Sequence, residues 1–104
     1  MDMNKRSTQA LQDRADYVAG RLALVANAKR LLILCELANG ERSVGALQQA
    51  VDLSQSALSQ HLAKLREAGM VDTRRESQTI FYRISDPDLM VLMAALYDAF
   101  CKDV

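Results

Sequence analysis

The run Leu53-Ser54-Gln55-Ser56-Ala57-Leu58-Ser59-Gln60-His61-Leu62-Ala63-Lys64-Leu65-Arg66-Glu67-Ala68-Gly69 reads as one helix with two unlike faces. Ser54 is suited to the N-cap, where a side-chain oxygen accepts from a free first-turn N–H, and Gly69 stops the helix after about Glu67. With successive residues about 100° apart, Ala57, Leu58, His61, Leu62 and Leu65 gather on one arc, which is fit for burial. The other arc collects Gln55, Ser56, Ser59, Gln60, Ala63, Lys64 and Arg66, with no carboxylate until Glu67 at the helix end. A merely solvated face ordinarily mixes in Asp or Glu. This one suits a DNA major groove: Gln pairs with adenine, Ser reaches bases or phosphates, and Lys or Arg reaches phosphate or guanine. The first-turn N–H groups near Ser54 to Ser56 add a phosphate site. His61 lies on the apolar arc as a packed histidine bonded to backbone or phosphate, with no ligand role.

The flanking segments agree with that function. Ser43 can cap a short helix with Val44, Leu47 and Val51 inward, and Asp52-Leu53 is a tight break before Ser54. Together these make a helix-turn-helix. Downstream, Met70 to Glu76 and Thr79 to Ile84 are rich in Val, Thr, Ile, Phe and Tyr with the polar Glu76-Ser77-Gln78 between them, which predicts a two-stranded hairpin. Arg74 and Arg75 are expected at its tip beside Gln78, as a wing over a phosphate backbone requires. Upstream, Leu11, Ala15, Val18, Leu22 and Val25 form a stripe of alternating four- and three-residue steps, the seam of a helix-pairing surface. Asn27 caps a second helix, Ala28 to Ala38, whose run Leu31-Leu32-Ile33-Leu34-Cys35 places it at the centre of the core. Asp86-Pro87 opens a last helix carrying Leu89, Leu92, Met93, Leu96 and Phe100. The expected fold is mainly α (α+β): a single winged helix-turn-helix domain over 1–104, with five helices and a two-stranded wing in the order ααααββα.

Composition excludes several other classes. The chain has 104 residues, 50% hydrophobic and 25% charged, with 13 Lys and Arg against 13 Asp and Glu. This is the opposite of a disordered composition. The longest nearly uncharged apolar stretch, Leu89 to Tyr97, falls well short of the ~20 residues a membrane helix needs. The basic start Met1-Asp2-Met3-Asn4-Lys5-Arg6 has no apolar run behind it, so no export signal is expected and a cytoplasmic location is. Zero net charge argues against a nucleic-acid partner only if charge is evenly spread. It is not: from Ser54 to Arg83, Lys64, Arg66, Arg74, Arg75 and Arg83 outnumber Glu67, Asp72 and Glu76. Neutrality overall implies weak non-specific affinity, so binding must rely on Ser and Gln contacts and on geometry.

Cys35 and Cys101 are the two cysteines and His61 is the single histidine. They form no CxxC and leave few ligands for zinc. In a reducing compartment the pair is either two small buried hydrophobes or a transient, sensory bridge. No cofactor motif is present. A thiol enzyme is disfavoured by the lack of acid–base partners around one histidine, and a protein-interaction module would use the two apolar seams instead of DNA.

Leu53 to Val71, with its Ser-Gln-Ser-Ala-Leu-Ser-Gln-His-Leu core, resembles the recognition-helix signature of the ArsR/SmtB bacterial repressors. Thr73 to Tyr82 continues the likeness, as does Lys29-Arg30-Leu31-Leu32-Ile33-Leu34-Cys35, so that it spans nearly all of Ala26 to Cys101. Metal-sensing members carry cysteines on the third helix or His and Asp on the last. Here Ser43 and Gly45 stand at the former, and Asp86, Asp88 and Asp98 without histidine at the latter, so no metal is expected. One cysteine on the second helix and one ending the last is similar to the BigR/SqrR/HlyU subgroup. That resemblance implies Cys35 and Cys101 as thiols sensing reactive sulfur species or oxidants, joined by a disulfide or polysulfide bridge when oxidised. It also implies a homodimer built on the first and last helices (Leu11, Val18, Leu22, Leu89, Leu92, Met93 and Leu96) bound to a pseudo-palindromic double-stranded operator. Repression, HlyU-like activation or antirepression, and constitutive DNA binding without sensing stay open at this level.

Overall fold

The structure, a computed structural model, describes residues 4–103; Met1 to Met3, the first part of the basic start, and Val104 lie outside them. The described residues form α1 (Lys5–Asp13), α2 (Ala15–Val25), α3 (Ala28–Ala38), β1 (Arg42–Ser43), α4 (Val44–Val51), α5 (Gln55–Glu67), β2 (Val71–Glu76), β3 (Thr79–Ile84) and α6 (Pro87–Phe100). The helix starts follow from side-chain caps. Asn27 Oδ1 accepts from the Arg30 N–H at 3.1 Å, Ser43 Oγ from Ala46 at 3.1 Å, Ser54 Oγ from Ala57 at 3.1 Å, and Asp86 Oδ1 from Asp88 at 2.9 Å. Each such cap contributes about 1 kcal/mol. Asp52, with φ 47°, takes the left-handed conformation that turns α4 into α5.

The structure departs from the sequence expectation at two elements. The expected first helix is two, divided at Arg14, whose N–H bonds back to Leu11 O at 3.2 Å in a tightened turn before α2 begins. The break separates a helix with no buried residue, α1, from α2, which buries Val25. The wing also gains a third strand: β1 pairs with β3 through Arg42↔Tyr82 and Ser43↔Phe81, giving the antiparallel order β1-β3-β2. The sheet is thereby fixed to the start of α4, and the wing has a base as well as a turn.

The core lies where α3, α4, α5 and α6 meet the sheet: Ile33, Leu34, Leu37, Leu47, Val51, Leu58, Leu62, Leu65, Met70, Val71, Leu89 and Met93 are all buried. Full burial of a leucine contributes about 1.5–3 kcal/mol, so the three α5 leucines alone hold that helix firmly. α3 is more one-sided than expected, with Leu32 and Cys35 exposed.

A polar knot joins the end of α5 to the start of α6. The Arg21 guanidinium on α2 donates from Nη1 to the Ala68 carbonyl and from Nη2 to Asp86 Oδ2. Ser85 adds two bonds, N–H to Met70 O at 3.0 Å and Oγ–H to Gly69 O at 3.4 Å. One side chain of α2 thus ties the C-cap of α5 to the N-cap of α6.

Candidate nucleic-acid interface

α5 presents the outward face read from its sequence. Gln55, Ser56, Ser59, Gln60, Lys64 and Arg66 are all exposed, while Leu58, Leu62 and Leu65 point inward. Ser54 is exposed too, but its Oγ is committed to the cap. Gln55, Ser59 and Arg66 line a groove of about 600 Å³ whose other wall includes Ile80 and Tyr82 of β3. The wing therefore flanks the side of α5 that carries Gln55, Ser59 and Arg66.

The wing's charges are arranged differently from the sequence expectation. Its turn is Ser77-Gln78, with Ser77 at φ 56°, and Arg74 and Arg75 lie within β2 opposite Phe81 and Ile80. Arg74 is not a free phosphate ligand. Its Nε and Nη2 donate to Glu41 at 2.8 and 2.7 Å, Nη1 donates to Glu76 at 3.1 Å, and the guanidinium lies 4.5 Å from the Phe81 ring centre. These bonds hold the Glu41 carboxyl below the usual carboxylate range and push Arg74 further toward its charged form. Glu41 was not legible as a partner because no local pattern links it to a residue on a later strand. Arg75 and Gln78 are exposed, as a phosphate-facing wing needs, and Arg83 pairs at 3.6 Å with Asp72.

The opposite side of α5 carries His61 and Lys64. His61 is half-buried, and its imidazole is held below the ordinary histidine range by desolvation first and then by the charges of Arg30 and Lys64. Arg30, in the first turn of α3, has its Nε buried without a hydrogen-bond partner. No local sequence pattern marks a role for Arg30.

Cys35 and Cys101 are free and exposed, which removes the alternative of two buried hydrophobes. Burial of part of its surroundings pushes the Cys35 thiol up, and the nearby charges of Cys101 and Glu36 push it further. α6 is apolar on both sides. Leu89 and Met93 are buried in this chain's own core, and Leu92 and Leu96 are half-buried against it. Val91, Tyr97 and Phe100 are exposed at 71%, 58% and 76%, as are Leu11 and Leu22, while Val18 is half-buried. Between α1–α2 and α6 runs an apolar groove of about 510 Å³ lined by Leu11, Val18, Leu22, Leu89 and Leu92. Among the described residues no group of three or more His, Cys, Asp or Glu side chains is placed to hold a metal ion, and no helix is long and apolar enough to cross a membrane.

Residues 27–73, from the cap of α3 into β2, match the model of the bacterial regulatory protein, arsR family. A biofilm growth-associated repressor from Agrobacterium fabrum is 46% identical over 101 residues, covering 97% of this chain and 86% of the relative. The chain belongs to the arsR family of bacterial regulatory proteins. Within the family, the transcriptional activator HlyU of Vibrio cholerae is 48% identical over 81 residues, 78% of this chain and 75% of HlyU. The crystal structure of the transcriptional repressor BigR from Xylella fastidiosa superimposes with a TM-score of 0.86 at 41% identity, covering 90% of this chain and 96% of that one. As an arsR-family member the protein is a DNA-binding transcriptional regulator and not an enzyme, with α4 and α5 as its helix-turn-helix and β1 to β3 as its wing.

Proposed function

We propose that the protein is a cytoplasmic repressor that binds a pseudo-palindromic operator as a homodimer and releases it when Cys35 and Cys101 become bridged. The whole chain, 1–104, acts as one winged helix-turn-helix unit. Two α5 helices related by a two-fold axis enter successive major grooves about one helical turn apart. Ser56, Ser59 and Gln60 face the base edges, and Gln55, Lys64, Arg66, Arg75 and Gln78 lie where bases or backbone approach. The exposed apolar residues of α1, α2 and α6 and the groove between them are the surface a second copy covers, since so much contiguous apolar area is unusual on a monomer.

The observation that carries the switch is the pair of exposed, unbonded thiols on α3 and at the end of α6, close enough for the charge of Cys101 to act on Cys35. A persulfide R–S–SH supplies the oxidising equivalent. One thiolate attacks its sulfane sulfur, R–S⁻ leaves, and a protein persulfide forms. The second thiolate attacks the inner sulfur of that persulfide, closing the disulfide and expelling hydrosulfide. The two thiols lose two electrons and two protons, and the sulfane sulfur is reduced to sulfide. Tying α6 to α3 shifts the dimer surface relative to the DNA-reading unit. A coupling of about 1–3 kcal/mol lowers operator affinity roughly 5- to 150-fold without unfolding.

The test is operator binding by reduced and persulfide-treated protein, with mass spectrometry of the Cys35 and Cys101 peptides. Wild type loses affinity as the linked pair appears, and Cys35→Ser and Cys101→Ser variants keep it; release by both serine variants refutes the switch. Because the Cys35 thiol lies high, its alkylation at neutral pH is slower than that of free cysteine and accelerates as pH rises beyond the ordinary thiol range. The 48% identity to a protein named as an activator favours one second reading, activation at the same operator. Reporter transcription on deletion of the regulator separates the two, rising for a repressor and falling for an activator.

A further inference from the structure

We propose that Arg30, His61 and Lys64 form a phosphodiester-binding site on the side of α5 opposite the wing, so that the recognition helix is bracketed by backbone contacts on both sides. Three observations converge there. Arg30 has an Nε with no hydrogen-bond partner inside the chain, so that N–H is not consumed by an internal acceptor. Among the described residues the salt bridges that form leave Arg30 and Lys64 out. The α5 face beside them carries no carboxylate from Gln55 to Arg66, so no acidic side chain of the recognition helix competes for these cations.

The placement fits a duplex. On the helical wheel Lys64 stands about half a turn, and His61 a little over a third of a turn, from Gln55 and Arg66, two of the residues that line the groove shared with β3. A helix seated in a major groove has a phosphate ridge on each side. The wing covers one, and this cluster faces the other. The chemistry matches a phosphodiester: a guanidinium offers a planar fork to two oxygens, an ammonium offers a point charge, and an imidazolium offers one N–H. Arg30 of α3 and Lys64 of α5 itself are the charged groups whose fields reach His61. Desolvation first, and then these two charges, hold the imidazole below the ordinary histidine range in the free protein, and a phosphate placed among them opposes that bias. DNA binding then takes up a proton at His61, the single histidine of the chain, and affinity rises as pH falls.

This inference rests on the DNA-binding assignment and is independent of the thiol switch. The probe is a duplex selected by the reduced protein from a random-sequence pool, beside a scrambled duplex of equal length, each titrated at several salt concentrations. Arg30→Gln and the exposed Lys64→Gln are expected to lower the slope of log affinity against log salt by about 0.9 for each contact removed, equally on both duplexes. Wild-type affinity is expected to rise from about pH 7.5 to about pH 5.5, the range in which histidine titrates, and His61→Gln to flatten that rise. The Lys64 variant keeps the test decisive if Arg30→Gln fails to fold. An unchanged salt slope in Lys64→Gln, a loss confined to the selected duplex, or a pH dependence that survives His61→Gln overturns the site. Failure of wild type to bind either duplex overturns the DNA-binding assignment itself.

Discussion

The two flanks of α5 treat part of their charge differently. On the wing side Arg74 is closed by Glu41 and Glu76 and Arg83 is paired with Asp72. On the α3 side Arg30, His61 and Lys64 stand together, and the described salt bridges include none of them. Two of the wing's arginines are thus paired within the protein, and the Arg74 clasp fastens β2 to the segment before β1, while Arg75 stays exposed. Charge on the α3 side is left for a partner. A chain of zero net charge can therefore bind an anionic polymer, provided that its carboxylates neutralise the cations meant for architecture and leave alone those meant for contact.

The strongest way to break this comparison is to release α5 from the body that orients both flanks. Arg21→Met leaves Asp86 and the Ala68 carbonyl without their shared donor. Hydrogen bonds to charged groups contribute about 1.5–3 kcal/mol each way, so a loss of that order is expected in chemical denaturation, together with weaker selection of the preferred duplex over a scrambled one. Unchanged stability and selectivity would contradict the role of the knot between α5 and α6.

A smaller change converts one flank into the likeness of the other. Glu41→Gln removes the main carboxylate from Arg74 and frees a cation on the wing. The salt slope of duplex binding is then expected to steepen by at most about 0.9 per protomer, with tighter binding to any sequence. The pH behaviour follows from the same pair. Because Glu41 is held below its ordinary range in the folded protein, the clasp is fully present above that range and is lost as pH falls through the lowered value. Thermal melting of wild type and Glu41→Gln is expected to converge under strongly acidic conditions. The smallest effect belongs to the wing turn. Ser77 sits at φ 56°, a conformation that costs a non-glycine residue roughly 1–2 kcal/mol, so Ser77→Gly is expected to raise the melting temperature slightly without altering duplex affinity.

Much of this was legible in the sequence because its causes are local. The caps at Asn27, Ser43, Ser54 and Asp86, the hairpin around Glu76-Ser77-Gln78, and the two arcs of α5 depend on spacing and side-chain chemistry within a few residues. The break at Arg14 had no Pro or Gly to announce it, and β1 is too short to carry a pattern. The wing clasp and the Arg21 knot join residues far apart in the chain, so only tertiary packing reveals that Arg74 is occupied and Arg21 is not a surface charge. α6 shows the limit of periodicity most clearly. A helix apolar all round gives the same spacing for its core face and its free face, and the structure assigns Leu89 and Met93 to the first and Val91, Tyr97 and Phe100 to the exposed surface.

The central claim is that α5 lies in a major groove with backbone contacts on both sides, unequal in kind. Phosphate-ethylation interference on the duplex selected by the reduced protein tests it most directly. Interference is expected at phosphates on both ridges of each half-site, and Lys64→Gln is expected to erase it on the ridge away from the wing alone. Interference confined to the wing side in the wild-type protein would contradict the account.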